Sequence, residues 1–262
     1  MNVLVIGATG SIGNLVVEEA LRQKHRVRAL VRNSSKARQF PREADTVIGD
    51  LTRPETLAAA VDGVDAIVFT HGSNGGSKAA SESVDYGGVR NVLAALGTRK
   101  VRIALMTSIG VTNRESSYNR SAEVHDWKRR SERLVRASGM SYTIVRPGWF
   151  DYNAAAEHRL VLLQGDKRHS GTPKDGAIAR RQLAEVLVRS LSSDAAVRKT
   201  FELVSTKGAS QEDFDALFGS LEPDPPGALN GVHDMANMPL EEEPKRVRDD
   251  LEAMQTQSSD AA

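Results

Sequence analysis

The chain contains no cysteine in its 262 residues. Disulfides and cysteine-held metals are thereby excluded, and a chain without disulfides suits a reducing cytoplasm, the compartment expected here. Net charge is nearly absent too: 35 Lys and Arg against 34 Asp and Glu leave +1. With no field of one sign, nucleic acid and membrane surfaces are not expected as partners. No apolar run reaches the roughly 20 residues that a membrane-spanning helix needs, and the first residues lack the charged region of a signal peptide. His25, His71, His125, His158, His169 and His233 form no His-x-x-x-His or His-x-His pair, so no metal site is expected. The Gly-x-Ser-x-Gly elbow of a serine hydrolase does not occur.

What is present alternates between strand and helix patterns. Val3-Leu4-Val5-Ile6 is a short apolar run that ends in glycines, as a buried strand does. Ile12, Leu15, Val16 and Ala20 follow at helical spacing. Val27, Ala29 and Val31 predict a second strand and Thr46–Ile48 a third. Thr52 and Glu55 have capping-box spacing and predict a helix running to Val61. Strands at 66–69 and 101–106, a helix over 83–96, a helix carrying Trp127, Leu134 and Val135 that Gly139 stops, and a strand at 142–145 continue the series. A helix over 179–191 and a strand at 201–204 complete it. Strands that alternate with helices predict a doubly wound parallel sheet of Rossmann type, a single domain over residues 1–205. After Ser205 the composition turns to prolines, acids and small polar residues, so 206–262 is expected to be an irregular extension with a disordered end. It reads as a surface wrap, with a lid or a subunit contact, and hence a homo-oligomer, as the alternative.

Gly7-Ala8-Thr9-Gly10-Ser11-Ile12-Gly13 lies between the first strand and the first helix. Phosphate binding needs this order, because glycines admit the pyrophosphate to the backbone and the helix N-terminus offers unpaired N–H groups. Gly7, Thr9, Gly10, Ser11 and Ile12 are the expected contacts. The end of the second strand then selects the cofactor. An NAD site places an acid there, yet this chain has none between Glu19 and Glu43 and offers Arg32 and Lys36 instead. A guanidinium suits a 2′-phosphate, which predicts NADP(H).

The Gly-x-x-Gly-x-x-Gly spacing resembles the short-chain dehydrogenase/reductase superfamily. Tyr86-Gly87-Gly88-Val89-Arg90-Asn91, Thr107-Ser108-Ile109-Gly110, the run from His125 to Gly139, and Tyr142-Thr143-Ile144-Val145-Arg146-Pro147-Gly148 resemble its atypical, NmrA-like NAD(P)H-binding branch. The resemblance places Asp50 and Leu51 at the adenine. It sets His71 and Gly72 along the cofactor, and Pro147, Gly148, Trp149 and Phe150 beside the nicotinamide. It also implies a Tyr-x-x-x-Lys pair on one helical face. Lys128 occupies the lysine position, expected to hold the nicotinamide ribose, with Ser108 as its catalytic companion, but the tyrosine position is Val124. Valine exchanges no proton, so the acid must be Ser108, His71, Tyr118, Tyr152 or water, or the reaction must need little acid help, as with quinones. The expected function is an NADPH-dependent oxidoreductase on a small carbonyl or quinone-type molecule. The alternative is a non-catalytic NADP(H)-binding redox sensor.

Overall fold

The computed structural model describes residues 1–73 and 75–260; Asn74, within the glycine-rich stretch Ser73-Asn74-Gly75-Gly76-Ser77 whose sequence reads as a flexible wall of the nicotinamide pocket, and the last two residues of the tail lie outside the described residues. In chain order the first half contains β1 (Asn2–Ile6), α1 (Ser11–Arg22), β2 (Arg26–Val31), β3 (Ala44–Ile48), α2 (Ala58–Val61), β4 (Ala66–Phe69), α3 (Lys78–Ala80), α4 (Gly87–Leu96) and β5 (Arg102–Met106). A π-helical turn, Ser81–Tyr86, joins α3 to α4. The second half contains α5 (Ser117–Ala122), α6 (Val124–Ala137), β6 (Ser141–Pro147), β7 (Trp149–Phe150), β8 (Arg159–Leu163), β9 (Ala177–Ile178), α7 (Arg180–Ser192), β10 (Lys199–Thr206), α8 (Phe214–Gly219) and α9 (Lys245–Asp260).

Side-chain alternation sets the layers. Val3 and Val5 of β1, with Ala66 and Val68 of β4, join one apolar cluster with α1 and α7; Leu4, Ile6, Ile67 and Phe69 join another with α4 and α6. Strands buried on both faces need helices on both sides, and parallel pairing provides the crossovers that put them there. The sheet order is β3-β2-β1-β4-β5-β6-β10-β8, parallel throughout except where β10 meets β8. The doubly wound parallel sheet is therefore as expected, with an added antiparallel edge. β8 escapes sequence patterning because it is only half covered and pairs with a strand some forty residues later in the chain.

Two local expectations are corrected. The hydroxyl of Thr52 donates to Asp50 Oδ1 at 2.8 Å, so no capping box forms with Glu55. A 3-10 turn, Pro54–Thr56, comes first and α2 starts later, because Pro54 favours a turn start and Asp50 competes for the threonine. The extension is also less irregular than its composition suggests. Phe214, Phe218 and Leu221 pack with the α1 and α7 layer, while Val247, Leu251 and Met254 form one helical stripe on the α6 side. Burial of that stripe outweighs the polar composition around it, and α9 continues to Asp260 through the segment expected to be disordered. No helix among the described residues is long and apolar enough to cross a membrane.

Candidate functional site

β1 is flanked by β2 on one side and β4 on the other, so the chain reverses its direction across the sheet here. Ligands bind such sheets outside the carboxyl ends of the strands at this switch point. A cleft of about 1000 Å³ opens there. Gly7 ends β1 at φ +78°, and a Cβ on it would lie 2.6 Å from the His71 backbone nitrogen. No other residue type fits between the two strand ends. Gly10 precedes α1 without a side-chain cap, and the first turn of α1 contains no acid, so its N–H groups face the cleft as an anion cradle. Thr9, Gly10, Ser11 and Ile12 all line it. Arg180, at the start of α7, donates to Ser11 Oγ at 3.2 Å and stacks over Phe150.

At the end of β2, Arg32 lines the cleft, exposed and without an ion-pair partner among the described residues. Asp50 and Leu51 line the same end. Hydrogen bonds from the Thr52 amide and hydroxyl hold the Asp50 carboxyl below its ordinary range, and Arg32 adds to this. Asn91 of α4 donates to the Leu51 carbonyl at 2.7 Å and fixes that loop. Lys36, expected beside Arg32, is placed elsewhere. It is exposed on the 3-10 turn Ser34–Gln39, which the Asn33 side chain caps, and it does not line the cleft.

At the opposite end α6 is buried at 13 of its 14 positions, and the remaining one is Lys128. Its ammonium lies 3.0 Å from Asp85 Oδ1, and Asp85 is itself buried and accepts from Ser73. Asp85 sits in the π-helical turn, a local deviation frequently found at functional sites. Val124, one turn before Lys128, lines the cleft as a buried apolar patch. Ser108 and His71 line it too, and the Ser108 hydroxyl and His71 Nδ1 are buried without partners. Buried polar atoms are nearly always paired. Two orphans, together with the glycine cradle, fit a polar nucleotide lying along this wall.

His71 is not a proton donor. Its Nε2 lies 3.1 Å from the Val84 carbonyl and must donate to it, which leaves Nδ1 as a bare acceptor. Burial, reinforced by Lys128 and opposed by Asp85, pushes its imidazole down to about 4. The folded state therefore excludes a proton that the unfolded chain binds below its ordinary value near 6.5. This contribution to stability is present above that value and is lost as pH falls towards 4, up to about 3 kcal/mol. Denaturant titrations at a series of pH values should show the decline, and His71→Gln should flatten it. His125, also lowered by burial, supplies a slope of the same sign that persists. An unchanged slope in His71→Gln would contradict this assignment.

Pro147, Gly148, Trp149 and Phe150 line the cleft. The amides in this turn are committed, however: Gly148 donates to the Leu203 carbonyl and Trp149 to that of Gly176, both at 2.9 Å. The turn therefore offers its rings rather than these amides. Trp149 sits at the mouth with its ring edge against Tyr152, which is 66 % exposed and off the cleft lining, while Tyr118 is on it. Asp85, His125, His169 and Arg180 were not among the expected site residues. His125 lay inside a motif attributed to the helix, and His169 and Arg180 reach the site only through long-range folding.

The sequence model of a family described as NAD(P)H-binding matches residues 7–194. An uncharacterised chloroplastic protein of Arabidopsis thaliana is 30 % identical over 244 residues, 83 % of this chain and 74 % of that one. The sanguinarine reductase of Eschscholzia californica is 26 % identical over 264 residues, 84 % of this chain and 96 % of that one. A solved structure from Bacillus halodurans, assigned as an NAD-dependent epimerase/dehydratase, superposes with a TM-score of 0.70 at 23 % identity, over 84 % of this chain and all of that one, a likeness of fold. With the phosphate loop at the switch point of a doubly wound sheet and the family match over most of its length, the chain belongs to the NAD(P)H-binding family, the atypical, NmrA-like branch of the short-chain dehydrogenases/reductases, and is an NAD(P)H-dependent oxidoreductase.

Proposed function

We propose that this oxidoreductase uses NADPH and reduces a small carbonyl or quinone-type substrate, with quinones faster than simple ketones. The observation that carries the reading is α6: a single cationic side chain, Lys128, turned into the cleft one helical turn after a buried valine. When bound, a reduced nicotinamide supplies the hydride. The chain's part is to hold and orient. The α1 N-terminus and glycine loop take the phosphates, Arg32 takes a 2′-phosphate, and Lys128 holds the ribose hydroxyls. Val124 cannot pass a proton to the substrate, so acceptors whose reduced form tolerates negative charge are favoured. The apolar patch it provides suits a planar acceptor ring. A redox sensor without turnover is what Val124 alone would favour; Lys128 in the cleft favours catalysis.

The test is oxidation of NADPH and of NADH against a panel of quinones and aldehydes, with cofactor affinities measured in parallel. A charge-assisted bond contributes roughly 1.5–3 kcal/mol, so NADPH should bind about ten- to a hundred-fold tighter than NADH. Arg32→Ala should remove most of that difference and leave NADH binding unchanged. Equal affinities in the unaltered protein would overturn the cofactor choice. Tight NADPH binding with no acceleration by any acceptor would favour the sensor.

A further inference from the structure

We propose that His169, backed by the buried carboxylate of Asp166, is the catalytic acid that takes over the role left open at Val124 when the substrate is a carbonyl compound. This rests on the oxidoreductase reading and deepens it. The groups on the cleft wall that carry an exchangeable proton differ in what their hydrogens already do. His71 gives its one N–H to the Val84 carbonyl. His125 is buried, with Nδ1 between the Asn113 carbonyl at 3.3 Å and Ser116 Oγ at 3.4 Å, and burial lowers its pKa. Tyr118 lies against Gly75 at the rim, and burial together with Asp85 raises its pKa, which makes it a weaker acid. Ser108 has a free hydroxyl but no base or cation bonded to it.

His169 differs from all of these. It follows β8, lines the cleft, and its side chain is 26 % exposed, so it can regain a proton from solvent. Its Nε2 lies 3.3 Å from Thr112 Oγ1 and 3.7 Å from Asp166 Oδ2. Asp166 has no exposed surface and is held by three donors: the Gly110 amide at 2.7 Å, the Thr112 amide at 2.7 Å and the Thr112 hydroxyl at 2.8 Å. Because the Thr112 hydrogen goes to Asp166, the lone pairs of that hydroxyl face His169, and Nε2 must carry a hydrogen. Nδ1 is then the ring atom available to the cleft. When it too is protonated, the positive ring faces a fixed, buried negative charge, an orienting pair of the kind that supports imidazole acids. The same carboxylate pins Gly110, two residues from Ser108, so acid and serine are fixed by one group. In the reaction, hydride from the nicotinamide forms the new C–H bond at the carbonyl carbon and the C=O π pair moves to oxygen. The Nδ1 proton then forms the O–H bond, leaving an alcohol, oxidised cofactor and neutral His169, which solvent reprotonates.

The experiment compares His169→Gln with the unaltered protein. Turnover on an aldehyde or ketone should fall about 100-fold, the usual scale of a lost general acid, and its solvent deuterium isotope effect should change. Turnover on the best quinone should change by no more than a few fold, and NADPH affinity, followed by fluorescence, should be unaltered. A second readout needs no turnover. In the NADP+ complex, 4-nitrophenol should bind with an enlarged ionised fraction, seen in its visible absorption, and His169→Gln should abolish the enlargement. Unchanged carbonyl turnover and an unchanged phenol spectrum overturn the role of His169 while leaving the oxidoreductase reading intact. If the unaltered protein reduces no acceptor, that reading fails instead. The phenol spectrum then decides separately whether His169 presents a proton to the cleft, and an unshifted spectrum overturns the assignment.

Discussion

Replacing Lys128 by methionine will lower turnover on the best quinone by about 100-fold and change NADPH affinity far less. The rate estimate follows from positioning, since fixing one reactant against another can supply several kcal/mol of a barrier and a small misplacement forfeits a hundredfold. The affinity estimate follows from the distance between roles: the phosphate cradle and Arg32 lie at the other end of the cleft from α6. Methionine retains the apolar stem, so packing along this face of the helix is disturbed little. What is lost is the cation 3.0 Å from Asp85. Asp85 then remains buried with the Ser73 contacts alone, a carboxylate left without its cation. Lys128→Met with Asp85→Asn separates the two effects. If the rate loss came from an unbalanced Asp85, the double variant would recover; if Lys128 orients the ribose, it stays slow. Unchanged quinone turnover in the single variant would remove Lys128 from the mechanism.

The parts legible in the sequence were those set by local chemistry. Gly7 and Gly13 could be read because a tight strand-to-helix turn admits no Cβ: one on Gly13 would stand 2.1 Å from the Gly7 carbonyl oxygen. The core strands were read from short apolar runs and alternation, and the end of α6 from Gly139. The basic run Lys128-Arg129-Arg130 was different. On sequence alone a run of cations is a solvated face, yet Arg129, Arg130, Arg133 and Arg136 are buried. Their partners lie about a hundred residues on: Asp224, Asn230, Asn237 and Glu243. The acidic tail and the basic helix explain each other, and neither does so alone. His169 was unreadable for the same reason, because its partner Thr112 is 57 positions away. Arg32 and Lys36 are both basic and four residues apart, and the path of the Asn33-capped turn keeps Lys36 off the cleft that Arg32 lines.

That long-range pairing leads to the largest stability effect expected. Arg146→Met should destabilise the chain by about 3–5 kcal/mol, the usual result of removing one partner from a buried ionic cluster, out of a total of roughly 5–15 kcal/mol for a domain. Arg146 has no exposed surface and binds Glu132 at 2.7 Å, Asp234 at 2.7 Å and Glu202 at 3.2 Å. Burial acts to raise Glu132 and Asp234, and Arg146 overcomes it, so both stay below the ordinary carboxylate range. Their favourable contribution is therefore present above the unfolded carboxylate value and lost as pH falls below it. Without Arg146 the carboxylates face one another with Arg136 as the main remaining cation, and folding favours protonated forms. The difference between variant and unaltered protein should thus be widest near neutral pH and shrink towards pH 4. Denaturant midpoints across that range give the measurement. Arg146→Lys should not restore stability, since one ammonium cannot reproduce the forked bonds to Glu132 and Asp234. Replacing Arg146, Glu132 and Asp234 together by apolar residues should recover part of the loss, because desolvation of all three charges disappears with them. The effect also reaches the site: Glu132 accepts from Thr107, which precedes Ser108, and Glu202 accepts from the Asp166 amide. A midpoint for Arg146→Met equal to that of the unaltered protein at neutral pH would mean the cluster does not hold the tail to α6.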